Sequence, residues 1–160
     1  MAELSLRIVA AHEAPALVAL VAAFRNHLGE SEPTEADLVR RVPVALADPA
    51  IEFACAWRDE RALGYTQTQF TTSVWVPGTD AFLEDLYVLP DARRQSVGRA
   101  LLRFAIARAE ERGAVRFALN TNEANVEAQG LYRSEGLAPK SHARFEGGRE
   151  VAWSRKLIRS

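Results

Sequence analysis

The order in which strand-like and helix-like segments alternate is the feature that most constrains the fold of this chain. Runs rich in β-branched and aromatic residues, such as IEFACAWR (51–58) and VRFALNT (115–121), alternate with longer runs whose apolar residues recur at helical spacing. The order is β-α-α-β-β-β-α-β-α-β-β, which predicts a mixed α/β sheet. A length of 160 residues suits one domain, so we expect a single domain over 1–160.

Turn and cap signals place the boundaries of these segments. Thr34 and Asp37 have the spacing of a capping box, and Pro43 is expected to end or bend the helix that follows. Gly113 and Gly136 are expected to close helices. Strands are predicted at 4–9, 51–58, 63–71, 81–89, 115–121 and on both sides of Gly147-Gly148, and helices at 15–28, from 34, at 97–112 and at 125–136.

Composition excludes several classes of protein. The formal net charge is -1, so no bulk positive field points to nucleic acid or an acidic membrane. The chain has no apolar run of membrane-spanning length and no signal-peptide pattern, so we expect a cytoplasmic protein. Cys55 and the three histidines lack metal-ligand spacing, and no metal is expected. Cys55, Trp57, Trp75 and Trp153 are interpreted as packing residues, although Trp75 lies in a candidate substrate loop.

RRQSVGRALL (93–102) is a basic turn between a predicted strand and a predicted helix. Backbone N–H groups at a helix start have no intrahelical partner, and together with the helix dipole they favour an anion. Gly98 would let the backbone approach a ligand, and Arg93, Arg94 and Arg99 could screen several negative charges. Local chemistry alone leaves two interpretations open: a phosphate cradle and an ordinary basic loop.

The motif Gln95-Ser96-Val97-Gly98-Arg99-Ala100 resembles the Q/R-x-x-G-x-G/A acetyl-CoA signature of the GNAT superfamily of N-acetyltransferases. NVEAQGLYRSEGL (125–137) is similar to that family's asparagine-to-tyrosine helix, and FLEDLYVLPDARR (82–94) is similar to its diamine acetyltransferase branch, which acts on spermidine, spermine and thialysine. The order of elements also matches. The resemblance implies the GNAT fold and acetyl-CoA as cosubstrate, and dimers are common in the family.

The resemblance also implies a set of cofactor-binding residues. The strand would contribute backbone groups and the turn would hold the pyrophosphate, while Asn125 would bond the pantetheine arm, its alternative role being a helix cap. The implied residues are Leu86, Tyr87, Val88, Arg93, Arg94, Gln95, Ser96, Val97, Gly98, Arg99, Ala100 and Asn125. One position departs from the family: Ser96 stands where glycine is usual, so its backbone must tolerate a Cβ.

Tyr132 and Glu84 are the catalytic candidates. By resemblance Tyr132 is the general acid that protonates the leaving thiolate, and a phenol with a pKa near 10 remains protonated at neutral pH. Its alternative role is a packed ring in the core. Glu84 would hold a cationic amine or accept its proton, the alternative being a salt bridge to an arginine. Strand alternation predicts that Glu84 and Asp85 point to opposite faces.

The sequence thus predicts an acetyl-CoA-dependent N-acetyltransferase with a small cationic amine as acceptor. Two alternatives remain open: the same reaction on an aminoglycoside or a protein amine, and a non-catalytic acyl-CoA-binding module. Polyamine specificity would need several acidic groups, for which Glu52, Asp80, Glu84 and Asp85 are candidates. Tyr65 and Gln67 are further candidates for lining an acceptor cleft.

Overall fold

The computed structural model describes the backbone of residues 2–122, 124–145 and 148–157. The predicted order of elements is confirmed. The strands are β1 (Leu4–Ile8), β2 (Ile51–Arg58), β3 (Arg61–Ser73), β4 (Gly78–Val88), β5 (Ala114–Asn122), β6 (Ala138–Phe145) and β7 (Gly148–Lys156). The helices are α1 (Ala14–His27), α2 (Glu35–Ala47), α3 (Val97–Glu111) and α4 (Val126–Ser134), with short 3-10 turns at Ala11–Glu13 and Pro90–Ala92.

The strands form one seven-stranded sheet in the order β1-β2-β3-β4-β5-β7-β6. β1 pairs with β2 in antiparallel fashion, β4 with β5 in parallel, and β7 pairs antiparallel with both β5 and β6. This mixed sheet confirms the predicted fold class. Of the predicted turn in the tail, Gly147 lies outside the described residues. No helix in the described ranges is long and apolar enough to cross a membrane.

The chain divides into two compact units: Met1–Thr68 with Asp85–Phe104, and Gln69–Glu84 with Ala105–Ser160. In the first unit the side chains of β2 alternate between two apolar clusters. Phe53, Cys55 and Trp57 pack with buried residues of α1 and α2, whereas Ala56 packs with Val97 and Leu101 of α3. Apolar contact on both faces explains why β2 is a nearly continuous apolar run.

Helix α3 buries one face, as its spacing predicts. Val97, Leu101 and Ala105 are buried at intervals of four, with Leu102 and Ile106 beside them. Gly113 follows the helix at φ +77°, in the left-handed conformation that commonly ends helices. In the second unit β5 contributes the buried Phe117 and Leu119, and Leu119 is the register partner of Trp153 on β7.

Two sequence predictions are corrected. Of the two outcomes predicted at Pro43, an end of α2 is wrong, since the helix continues to Ala47. Leu38 and Val42 are buried, and their packing holds the helix where proline removes one backbone hydrogen bond. Trp75 is 86% exposed in the turn between β3 and β4, so it is not a packing residue. Cys55, Trp57 and Trp153 are buried, which confirms the prediction for them.

Candidate active site

The turn between β4 and α3 has an unusual backbone. After the 3-10 turn Pro90–Ala92, Arg94 has φ +61° and Ser96 has φ +63°. Both values lie in the left-handed region, which residues with a Cβ rarely adopt. The carbonyl of Ser96 accepts the first helical bond from the N–H of Ala100 at 3.0 Å, so Ser96 is the residue from which α3 begins.

Ser96 therefore adopts the conformation that glycine would adopt most easily. The sequence predicts that a serine here must fit a backbone that tolerates its Cβ, and the structure places it in the left-handed region instead. Such a conformation costs roughly 1–2 kcal/mol for a residue other than glycine. Surrounding contacts must hold it in place.

The arginines of the turn differ in their surroundings. Arg93 is exposed, yet its Nε donates to the carbonyl of Val88 at 3.1 Å and its guanidinium lies 5.8 Å from the centre of the Tyr87 ring. Arg94 is exposed and Arg99 is half-buried on the first turn of α3. Arg93 thus links the turn to the end of β4, and the three guanidinium groups concentrate positive charge along this short segment.

Gln95 is held at both ends of its amide. Its Oε1 accepts a hydrogen bond from Nη1 of Arg58 at 2.7 Å, and its Nε2 donates to the carbonyl of Asp91 at 3.2 Å. Arg58 is the last residue of β2, so this contact ties the turn to a strand that is 37 residues away in the chain. Sequence reasoning missed this role of Arg58.

The end of β4 packs in an aromatic cluster. Tyr87 is buried and stacks on Phe24 of α1 with ring centres 5.1 Å apart, and His27 lies 5.9 Å away. Leu86 and Val88, on the other face of the strand, are half-buried. The side chain of Tyr87 therefore serves the core, and only its backbone groups are left for the implied contact with a cofactor.

Gly64 on β3 has no side chain, which lets the backbone at the end of β4 pack directly against it. A Cβ at position 64 would lie 2.6 Å from the carbonyl oxygen of Tyr87 and 3.2 Å from the Cα of Val88. A side chain here would push away the strand end that leads into the turn. Sequence reasoning missed this residue, although an isolated glycine inside a strand is a known signal of close backbone approach.

Asp85 is a half-buried carboxylate with a specific partner. The hydroxyl of Tyr65 donates to its Oδ2 at 2.8 Å, and Tyr65 is fully buried. Burial raises the pKa of the Asp85 carboxyl, and the hydrogen bond from Tyr65 opposes that rise. Burial, followed by the negative charge of Asp85, raises the pKa of Tyr65. Tyr65 thus positions Asp85 within β4.

Glu84 is exposed on the strand next to Asp85. The burial pattern alternates along this part of β4, with Leu83 and Tyr87 buried and Glu84 exposed, which supports the predicted opposite orientation of Glu84 and Asp85. Asp80, another acidic candidate, forms a two-point ion pair with Arg116, whose Nε lies 3.0 Å from Oδ1. The carboxylate of Asp80 is therefore neutralised by Arg116.

α4 presents the second pair of candidates. Asn125 caps the helix: its Oδ1 accepts from the N–H of Ala128 at 3.3 Å, which confirms the alternative role proposed for it. Tyr132 is 8% exposed, and its ring centre lies 6.1 Å from that of Trp153. Burial raises the pKa of Tyr132, so the phenol keeps its proton throughout the neutral range.

The candidates fall in both units. The first contains the implied cofactor residues from Leu86 to Ala100, together with Asp85, Tyr65 and Gly64. The second contains Glu84, Asn125 and Tyr132. Each set is locally ordered by the contacts described above, and the roles of the individual residues remain predictions.

Comparison with curated proteins gives related sequences. The chain is 29% identical over 118 residues to an aminoglycoside N(6')-acetyltransferase type 1 of Klebsiella aerogenes, covering 72% of this chain and 78% of that one. It is 32% identical over 91 residues to a thialysine N-epsilon-acetyltransferase of Sus scrofa, covering 53% of each. A Bacillus subtilis relative is 30% identical over 94 residues. The match spans little more than half the length of the pig and Bacillus relatives, at 53% and 58%.

Solved structures share the fold. A GNAT family acetyltransferase from Streptococcus pneumoniae superposes with a TM-score of 0.79 at 17% identity, over 97% of this chain and all of that one. The PaiA N-acetyltransferase of Thermoplasma acidophilum, solved with coenzyme A, gives 0.74 at 16% identity, over 97% and 99%. The sequence model of the acetyltransferase (GNAT) family matches residues 17–137, which include the β4–α3 turn and α4. The chain belongs to the acetyltransferase (GNAT) family.

Proposed function

We propose that this protein transfers the acetyl group of acetyl-CoA directly to a primary amine, with a small cationic amine as acceptor. The observation that carries the proposal is the strand–turn–helix from β4 to α3. Its left-handed turn carries two arginines, a third lies on the first turn of the helix that follows, and the segment lies within the residues that match the family. Backbone N–H groups at such a start bind phosphate.

The residues present suit acetyl-CoA. The N–H groups of Val97 and Gly98 precede the first helical hydrogen bond of α3, which Ala100 donates to Ser96, and the dipole there favours the negative pyrophosphate. Arg94 supplies positive charge beside them. The cap on α4 uses only Oδ1 of Asn125, so Nδ2 is the group proposed to donate to the pantetheine arm. The bound thioester supplies the activated acetyl group.

The proposed chemistry assigns two proton movements to side chains. The acceptor enters as an ammonium and loses a proton to Glu84, directly or through water. The amine nitrogen then attacks the thioester carbon, the C–S bond breaks, and the leaving thiolate takes a proton from the hydroxyl of Tyr132. The attacking nitrogen releases its second proton to water, and water returns a proton to Tyr132. The products are an amide and free CoA thiol. The raised pKa of Tyr132 suits a group that must hold its proton until the thiolate forms.

The acceptor class is supported by Glu84 on β4. Glu84 is exposed, whereas Asp85, which strand alternation places on the opposite face, accepts a hydrogen bond from the Tyr65 hydroxyl. Since Asp80 is paired with Arg116, fewer acidic groups remain for a long polyamine with several charges. This favours an acceptor with one or two ammonium groups, and a thialysine acetyltransferase is among the related sequences.

An aminoglycoside is the second candidate acceptor. The relative that carries that activity in its name matches 72% of this chain, a larger share than the thialysine relative matches. Aminoglycosides also present primary ammonium groups, so the same two proton movements apply. A protein amine and a non-catalytic acyl-CoA-binding module are further outcomes to be separated by experiment.

The test is release of CoA thiol from acetyl-CoA across a panel of polyamines, thialysine, aminoglycosides and a peptide N-terminus. Turnover on thialysine or a short diamine supports the proposal, and turnover on aminoglycosides alone selects the second candidate. Tyr132→Phe should lower kcat about 100-fold with little change in the Kd for acetyl-CoA. Acetyl-CoA binding without turnover on any amine would favour the binding module.

Glu84→Gln tests the base. The amide has the same shape but cannot accept the proton, so the acidic limb of the pH profile of kcat/KM should change and turnover should fall. Melting temperature and acetyl-CoA affinity serve as controls, since Glu84 is exposed on the strand. A variant with wild-type turnover and an unchanged pH profile would show that Glu84 is not the base.

A further inference from the structure

The side chain of Gln95 lies at the centre of the strained turn. Gln95 stands between Arg94 and Ser96, the two residues with φ +61° and +63°. Its Oε1 accepts from Nη1 of Arg58 at 2.7 Å and its Nε2 donates to the carbonyl of Asp91 at 3.2 Å. One side chain therefore restrains the middle of the segment from two directions.

A turn of this kind needs such a restraint. Each left-handed residue with a Cβ is unfavourable by itself and persists only where its surroundings determine it. A glycine at position 96 would adopt the same φ without strain. With serine there, an unrestrained segment would relax toward negative φ, and the N–H groups before α3 would change direction.

We propose that Arg58 is a positioning residue for the acetyl-CoA turn. Through Gln95 it holds the backbone from Arg94 to Ser96 in the left-handed conformation, and it thereby compensates for the absence of glycine at position 96. The inference rests on the proposed function, because it assumes that this turn binds acetyl-CoA. Arg58 does not touch the cofactor in this scheme and acts only through Gln95.

The surroundings of Arg58 distinguish it from its neighbour Arg61. Arg58 is half-buried, although its partner Gln95 is exposed. The Nε of Arg58 is buried without a hydrogen-bond partner in the described part of the chain, so Nη1 is the donor that orients it toward Gln95. Arg61 also reaches the segment, through an ion pair with Asp91 at 2.8 Å. Both side chains of that pair are more than half exposed, at 57% and 62%. Exposed ion pairs contribute little, and Arg61 contacts Asp91 rather than Gln95, so Arg61 is a matched control.

An open cavity of about 450 Å³ lies beside this contact, lined by Arg58, Arg61, Asp91 and Gln95 among others. Water can therefore solvate the amide of Gln95 once the guanidinium is removed. The expected consequence is loss of the restraint on the turn, without collapse of the surrounding side chains. Arg58→Met suits the experiment, because it keeps an unbranched apolar stem and removes every donor.

The experiment compares four proteins: wild type, Arg58→Met, Ser96→Gly and the double variant. Calorimetry gives the Kd for acetyl-CoA, and hydrogen exchange of the amides from Arg94 to Val97 is followed without ligand. Arg58→Met should raise the Kd roughly three- to tenfold in the wild-type background, the range expected for one lost hydrogen bond. In the Ser96→Gly background, Arg58→Met should raise the Kd for acetyl-CoA less than about twofold, since glycine needs no restraint.

Three further readouts separate positioning from general damage. Arg58→Met should speed exchange of the turn amides while kcat at saturating acetyl-CoA stays unchanged. Arg58→Lys keeps one donor and should recover part of the affinity. Arg61→Ala should change the Kd less than about twofold.

Specific results would overturn the inference. An equal rise in Kd in both backgrounds, unchanged exchange of the turn amides in Arg58→Met, or a fall in kcat at saturating acetyl-CoA would each contradict a positioning role that depends on Ser96. Absence of acetyl-CoA binding to the wild type at millimolar concentration would instead contradict the proposed function. In that case the exchange data still decide whether Arg58 holds the turn.

Discussion

α2 and α3 differ in the backbone conformation of the residue that precedes each helix. α2 begins after Thr34, which has an extended backbone (φ −68°) and a hydroxyl that accepts from the N–H of Asp37 at 3.2 Å. The carboxylate of Asp37 in turn accepts from the N–H of Thr34 at 3.0 Å. This helix start thus provides its own hydrogen-bond acceptors and its own negative charge.

α3 begins after Ser96, at φ +63°, outside the extended region from which a serine normally caps a helix. Thr34 therefore caps α2 from an extended backbone, whereas the backbone of Ser96 at the start of α3 is left-handed. The start of α2 has no need of an external anion, whereas the start of α3 is the one proposed to receive the pyrophosphate. The following variants test that contrast.

Gly64→Ala should have the largest effect, because it disturbs the strand end that leads into α3 and leaves the start of α2 intact. The new Cβ would lie 2.6 Å from the carbonyl oxygen of Tyr87, so the backbone of β4 must shift. We expect the free energy of unfolding to fall by about 2–3 kcal/mol and acetyl-CoA binding to weaken. Urea unfolding and calorimetric titration measure both.

Gly130→Ala is the matched control for Gly64→Ala. Gly130 lies inside α4, and a Cβ there would meet nothing within 4 Å. Alanine is the better helix former, so the free energy of unfolding should rise by up to about 1 kcal/mol. Wild-type stability in Gly64→Ala would show that β3 and β4 can move apart at this point. It would contradict the expected clash with the Tyr87 carbonyl.

Ser96→Gly and Thr34→Ala should change stability in opposite directions. Glycine relieves the left-handed strain at position 96 but loses more entropy on folding, which leaves a net gain of about 0.5–1 kcal/mol. Thr34→Ala removes a normal cap and should cost about 1 kcal/mol. Thermal unfolding checks both. A loss of stability in Ser96→Gly would mean that the serine hydroxyl contributes more than the strain costs.

The pH dependence of α2 gives the smallest effect. The hydrogen bond from the backbone of Thr34, with help from the Thr34 hydroxyl and Arg40, lowers the pKa of Asp37 from 3.8 to about 2. Since the folded pKa lies below the unfolded one, this stabilisation is present above about pH 4 and is lost as pH falls toward 2. Asp37→Asn should therefore be less stable than wild type at neutral pH. The difference in free energy of unfolding between wild type and Asp37→Asn should shrink as pH falls from 7 to 2. A constant difference would contradict the lowered pKa of Asp37.

Local patterns in the sequence are enough to predict much of the fold. The alternation of strand and helix periodicity predicts the observed order, Thr34 and Asp37 mark a helix start, and Gly113 and Gly136 adopt the positive φ expected where helices end. These signals are readable because each depends on residues within one or two turns of chain. The motifs around Gln95 and Tyr132 identify the family for the same reason.

Two predictions failed, one because distant contacts outweighed a local preference and one because a turn outweighed the usual burial of tryptophan. Pro43 is tolerated inside α2 because Leu38 and Val42 are buried against the core. Trp75 is exposed although tryptophan is usually buried, because it lies in the turn between two strands. The burial that keeps Pro43 inside a helix cannot be read from neighbouring residues, whereas the exposure of Trp75 follows from its turn.

The sequence by itself determined the order of elements, the family and the candidate residues of the turn and of α4. Only the tertiary structure decided that Ser96 is left-handed, that Arg58 reaches Gln95, that Tyr65 holds Asp85 and that Gly64 admits the end of β4. The physical reason is separation along the chain. Periodicity and caps are fixed by local geometry, whereas each of these contacts joins segments that become neighbours only when the strands pair and the core is packed.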